Sequence, residues 1–187
     1  MAFRFEGLSA NQGTTVYAYE GSTAYRPRPV IEYIQNEDQL VVEGAETDPL
    51  KMDSLRINEI CSQGSKEQKE DWVELYNGHE FPLHIKGGVY LSDKNKNRTL
   101  FELKNIIIPA KGFYVFIADE QPENGKNYLP FDLKNSGETV YLSRSQTDLM
   151  DQVTFGTVPY NKSYGRSTDG TGEFVLFMTP TYGSSNK

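Results

Sequence analysis

The chain is poor in the residues that most often carry chemistry. Among 187 residues it has one cysteine, Cys61, one tryptophan, Trp72, and two histidines, His79 and His84. A single cysteine excludes an intrachain disulfide and any multi-cysteine zinc site, and it leaves the redox compartment undecided. A cysteine nucleophile needs a histidine in hydrogen-bond reach and an electropositive pocket. Cys61 instead ends the run LRINEIC, where a free cysteine behaves as a small buried hydrophobe. His79 falls in the turn NGHEFP, and His84 alternates with Leu83 and Ile85. His79 with Glu80 is too sparse for zinc, and no calcium loop, GxSxG, P-loop or HExxH pattern occurs. No pair of carboxylates is singled out for hydrolysis. The expectation is a chain that is not an enzyme and has no catalytic residues, cofactor or metal.

Long apolar runs are missing too: none approaches the roughly 18 residues of a spanning helix, so no membrane insertion is expected. The opening MAFRFEGLSANQG has neither the basic nor the apolar region of a signal peptide. It begins almost inside a strand-like pattern, which suggests that Met1 starts a fragment of a longer protein.

Positive charge is the minority: 19 Lys and Arg against 26 Asp and Glu give a formal net charge of −7. Such a field repels phosphate polymers and anionic membranes, so no nucleic-acid partner is expected. The short basic stretch KNKNR at Lys94 to Arg98 reads as a solvated turn, since Asn and Lys are what a turn accepts. Two acidic loops, ADEQPENG with Asp119, Glu120, Glu123 and Asn124, and STDGTGE with Asp169 and Glu173, read as charged solvated loops. Calcium at the Asp119–Asn124 loop stays open. Arg166, in SYGRSTDG, reads as a structural salt-bridge or carbonyl-binding arginine.

What the chain does have is β-character. Its apolar segments are short, rich in β-branched and aromatic residues, and bounded by Gly, Pro, Asn or Asp. Expected strands are TTVYAYE, PVIEYIQ, QLVVEG, LRINEIC, DWVELYN, GVYLSD, TLFEL, GFYVFIA, ETVYLS, LMDQVTF and FVLFM. No helical periodicity persists over three turns, so any helix should be a single turn. Turn signals every 8–12 residues or so after Leu55 suit an antiparallel sandwich. YRPRPV and the acidic EGAETDPLKMD look like boundaries. Residues 1–53 are therefore expected to form a β-strand and hairpin segment, packed on the sandwich or left from an upstream domain, and 54–187 the main domain. So few residues make a marginal core alone.

The tetrapeptide VYLS occurs twice, at Val89–Ser92 and Val140–Ser143. Alternation places Val89, Leu91, Val140 and Leu142 inward and Tyr90, Ser92, Tyr141 and Ser143 outward. TLFEL and LMDQV are expected to return as the respective hairpin partners. In DWVELYN the same alternation puts Val73 and Leu75 on one face and Trp72, Glu74 and Tyr76 on the other, and the charge of Glu74 marks the second as exposed. Aromatics flanking a carboxylate there form a candidate ligand-binding surface, although amphipathic rings also simply cover sheets well.

Taken in order, LRINEI, DWVELYN, GGVYLSD, IIIPAKGFYVF, FDLKNSGETVYLS, DQVTFG and SYGRSTDGTGEF…TPTYGSSN resemble the lamin tail domain as it occurs in bacterial, chiefly secreted, multidomain proteins. The resemblance covers about Ser54 to Asn186. It implies an all-β, immunoglobulin-like sandwich of antiparallel Greek-key type, and a non-catalytic accessory module in an extracellular or cell-envelope setting. The residues it carries over are structural: Asn58, Glu59, Trp72, Glu74 and Asn77, then Asn135, Gly137 and Glu138, then Gly165, Arg166, Asp169, Gly170, Thr179 and Pro180. No heptad rod, basic localisation run or prenylation box accompanies them, so neither filament assembly nor a nuclear address is expected. The implied function is a binding or spacer module of a larger exported bacterial protein, meeting another protein or a cell-surface polysaccharide. The alternative is a carbohydrate-binding module serving an appended enzyme, with Trp72 and Tyr76 as its platform.

Overall fold

The structure, a computed structural model, describes residues 41–66 and 68–186. The strands expected before residue 41 lie outside the described residues; of QLVVEG, residues 41–44 form a turn and no strand. From Val41 onward the chain is one compact unit.

Among the described residues all regular structure is β apart from three single 3-10 turns, at Pro49–Lys51, Asn95–Asn97 and Pro122–Asn124. The strands are β1 (Leu55–Cys61), β2 (Asp71–Asn77), β3 (Leu83–Ile85), β4 (Tyr90–Ser92), β5 (Phe101–Glu102), β6 (Ile106–Ile108), β7 (Phe113–Ala118), β8 (Tyr128–Leu129), β9 (Thr139–Ser143), β10 (Leu149–Thr154), β11 (Ser163–Arg166) and β12 (Phe174–Phe177). One sheet has the order β12-β11-β1-β2-β7-β8, a second β10-β9-β4-β5, and β3 pairs with β6. Both larger sheets and the β3–β6 pair feed one apolar core, with Ile57, Val73, Leu75 and Phe116 from the first, Leu91, Val140 and Leu142 from the second, and Leu83, Ile85 and Ile106 from the pair. This is an immunoglobulin-like β-sandwich. One pairing departs from the antiparallel rule: β8 lies parallel to β7, with Ile117 opposite Tyr128.

The run LRINEIC becomes β1 from end to end, and DWVELYN becomes β2. β1 carries a bulge, because Ile57 opposes Leu75 while Glu59 already opposes Glu74, leaving Asn58 as the extra residue. A bulge advances the pleat by one. Leu55 and Ile57 face the core before it, and Ile60 after it. Glu59 and Cys61 are thereby turned to the opposite face of the sheet, and both are fully buried there.

The two VYLS copies are neighbours. β4 pairs with β5 and β9 with β10, as their sequences suggest, and the copies also pair with each other, Tyr90 opposite Ser143, Leu91 opposite Leu142 and Ser92 opposite Tyr141. Val89, Leu91, Val140 and Leu142 are fully buried. Ser92 and Ser143, expected outward, are buried as well. For Ser92 the cause is visible: its hydroxyl accepts from Lys94 N at 2.9 Å and donates to Asn97 O at 2.7 Å, so the residue organises the turn that follows it.

Residues before β1 contribute to this unit. Met52 is buried in the core, and Glu46 forms a parallel bridge to Leu83.

Candidate functional site

The face of the six-stranded sheet that turns away from the core is where the expected ligand surface was placed, and its exposure is corrected by the structure. Trp72 and Glu74 are fully buried. Alternation identifies which residues share a face, but it does not say what covers that face. The cover is the strap formed by residues 181–186. Tyr182 packs edge-on to Trp72 with ring centroids 5.3 Å apart, and Trp72 forms a second small apolar cluster with Cys61 and Ile117. Tyr76, at the end of the strand, is half-buried against Phe113, centroids 5.1 Å apart. It also lines a shallow hollow of about 180 Å³ with Ser54, Arg56 and Lys111. The three residues thus share a face without forming an aromatic platform.

Beneath the strap three carboxyl groups meet donors from distant segments. Glu74 accepts from Asn58 Nδ2 at 3.0 Å and from the Gly183 N–H at 2.7 Å. Asp169 accepts from Asn58 Nδ2 at 3.1 Å, the Asn186 N–H at 3.0 Å and the Ser185 hydroxyl at 2.6 Å. Glu59 accepts from the Ser163 hydroxyl and from the Thr181 N–H at 3.0 Å. The bulge residue Asn58 completes itself by accepting the Gly170 N–H at 3.0 Å.

The Thr181 hydroxyl stands between Glu59 and Asn186. The Thr181 hydroxyl lies 2.5 Å from Glu59 Oε2 and 2.6 Å from Asn186 Oδ1, but it has one proton. Asn186 cannot be turned round, because its Nδ2 donates to Arg166 O at 2.6 Å and to Asn58 O at 3.4 Å. The one Thr181 proton is thus shared between two acceptors, Glu59 Oε2 and Asn186 Oδ1, and the hydroxyl ties the strap to β1. Burial pushes the Glu59 carboxyl up against the lowering effect of its hydroxyl and amide donors. Burial likewise pushes Glu74 up to about 8, opposed by the Asn58 bond and reinforced by Glu59.

Gly165 makes room for this arrangement. A Cβ there would stand 3.0 Å from Asn186 Nδ2 and 3.0 Å from Glu59 Cγ. Next to it, Arg166 ties the two sheets together. Its guanidinium donates to both oxygens of Asp151 on β10 at 3.1 and 3.0 Å, to Ile57 O at 2.9 Å and to Gly172 O at 3.2 Å, and it lies 4.6 Å over the Phe174 ring. It is both the salt-bridging and the carbonyl-binding arginine anticipated from sequence. Asp151 also accepts the Ile57 N–H at the β1 bulge, at 3.0 Å.

The remaining candidates are dispersed. Burial pushes the Cys61 thiol up to about 12, and its Sγ donates to Lys162 O at 3.3 Å. His79 Nε2 accepts the Ser54 N–H at 3.1 Å, whereas His84 is buried in β3. Asp169 and Glu173 diverge, the first into the cluster and the second to solvent. In the Asp119–Asn124 loop, Asp119 caps the Gln121 N–H at 3.0 Å. Among the described residues no group of three His, Cys, Asp or Glu side chains could hold a metal ion. Asn77 Nδ2 reaches Phe81 O at 2.9 Å and Pro109 O at 2.9 Å, and Glu138 accepts from Lys134 N at 2.9 Å, so both serve turns. Sequence reading did not find Asp151, Ser163 or the strap residues Thr181, Gly183, Ser185 and Asn186. TPTYGSSN has no strand period, and its partners on β1 and β2, Glu59 and Glu74, lie more than a hundred residues upstream.

A family model described as Lamin Tail Domain matches residues 51–157. The chain belongs to the lamin tail domain family. Domains of this family are immunoglobulin-like and often serve as non-catalytic interaction modules. The match spans β1 to β10, so β11, β12 and the strap lie beyond it. No curated protein and no solved structure matches the chain.

Proposed function

We propose that this lamin tail domain is a non-catalytic binding and spacer module of a larger exported bacterial protein, and that it contacts another protein or the cell surface through loops and sheet edges. The observation that carries the reading is the condition of its acidic cluster. Glu59, Glu74 and Asp169 face Thr181, Gly183, Ser185 and Asn186 of their own chain. Catalytic acids and bases need instead a cleft into which a substrate atom can come within hydrogen-bond reach. Here the space above the carboxyl groups is filled by the strap.

Immobilised full-length chain, offered separately to exported proteins and to purified cell-surface polysaccharide, tests the binding role. Saturable binding of one of them, retained in Glu59→Gln, supports it. A panel of hydrolase substrates gives the opposing result: turnover above blank that disappears in Glu59→Gln would replace the module with an enzyme.

A further inference from the structure

One edge of the six-stranded sheet is β12, the other being the two-residue β8, and the β12 residues Phe174, Val175, Leu176 and Phe177 are uncharged. Val175 is 40% exposed, Leu176 48% and the following Met178 65%. An exposed apolar edge is a template for another strand. Register shows which main-chain groups it offers. β12 runs antiparallel to β11 with Gly165 opposite Val175 and Tyr164 opposite Leu176. Just before this ladder, Ser167 donates its N–H to Glu173 O at 2.8 Å. Hydrogen-bonded and non-bonded pairs alternate in an antiparallel ladder, so Gly165 and Val175 form the next bonded pair. The N–H and C=O groups of Phe174 and Leu176 consequently point away from β11, towards the open side.

We propose that this edge is a self-association surface, on which two copies of the chain pair β12 with β12 antiparallel about a two-fold axis at Val175. In that register Phe174 of one copy opposes Leu176 of the other, twice, and each pair exchanges both of its N–H···O bonds. Val175 meets Val175 at the axis, with no charge buried. What commits the edge to a second copy is charge complementarity. Glu173, exposed and without an ion pair among the described residues, falls opposite Phe177 of the other copy. One residue further on is Met178, whose carbonyl accepts the Lys162 ammonium at 3.0 Å. Each copy thus brings an acid to the other's lysine, while the two Glu173 side chains stand at opposite ends of the ladder. Pro180, with no N–H, limits further pairing. A ladder this short belongs to the small class of interfaces, so the dimer is weak and concentration-dependent.

Sedimentation equilibrium of the full chain over a wide concentration range, at low and high salt, provides the test. The expected result is a monomer–dimer equilibrium weakened by salt. Val175→Lys sets two ammonium groups against each other at the axis and lowers the association constant about tenfold or more, ~1.4 kcal/mol. Glu173→Lys weakens association, and adding Lys162→Glu restores most of it. The charge exchange gives a readout even if Val175→Lys disturbs the fold. A chain that is monomeric at every concentration overturns the proposal, as does a dimer indifferent to both Val175→Lys and the charge exchange.

Discussion

Gly183 donates its backbone N–H to Glu74 Oε2 at 2.7 Å across 109 residues of sequence. The bond joins the strap to the centre of β2, and with the Thr181 and Asn186 bonds it makes the outer face of the main sheet an interior. Several consequences can be measured.

Stability should fall as pH rises through the neutral range. Glu74 in the folded chain holds its proton to about 8, against 4.5 as the ordinary value. Below the lower value both folded and unfolded states are protonated. Between the two, the unfolded state has released a proton that the folded state keeps, so stability drops by up to about 1.4 kcal/mol per pH unit for one such group. Glu59, raised for the same reason, acts with the same sign. Denaturant unfolding from pH 5 to 9 should show the decline. Glu74→Gln should have a shallower one and be less stable at low pH by roughly 1–3 kcal/mol, because its amide NH₂ confronts either Asn58 Nδ2 or the Gly183 N–H.

Gly165→Ala should loosen the strap. Its Cβ would meet Asn186 Nδ2 and Glu59 Cγ, both at 3.0 Å, and overpacking of this kind costs roughly 1–3 kcal/mol. Thermal unfolding should detect the loss, with faster amide exchange at Asn186 marking where the change lies.

Arg166→Met should be among the most damaging single changes. It leaves Asp151, with a side chain only 12% exposed, without its cation, and removing one partner of a buried pair costs about 3–5 kcal/mol. Arg166→Lys should recover only part of this, since an ammonium cannot span Asp151, Ile57 O and Gly172 O together. Chemical denaturation of the three proteins provides the comparison.

The single tryptophan reports on the strap. Trp72 is fully buried against Tyr182, so native emission should be blue-shifted and poorly quenched by acrylamide. Replacing Tyr182 by Ala should raise quenching while far-UV circular dichroism stays unchanged.

Much of the sandwich was legible from short β-branched and aromatic segments bounded by turn formers. LRINEIC and DWVELYN emerge as strands with no residue gained or lost, and the hairpin partners of both VYLS copies were identified. The strands at Leu83–Ile85, Ile106–Ile108, Tyr128–Leu129 and Ser163–Arg166 escaped, because two to four residues do not establish a period. The ladder between the VYLS copies escaped as well, since pairing between strands fifty residues apart leaves no local mark. Glu74 was misplaced for a physical reason: a carboxylate ordinarily signals solvent, but here protonation and two donors let it be buried. Family resemblance, not periodicity, singled out Asn58, Glu59, Gly165 and Asp169 as structural, and their shared purpose became visible only with Asn186 placed among them.

Amide hydrogen exchange at Gly183 tests the strap most directly. If the strap is an integral layer of the fold, the Gly183 N–H should be protected to the level of the β1 and β2 amides and lose that protection in Glu74→Ala. Exchange at the rate of a free peptide in the wild-type chain would contradict it.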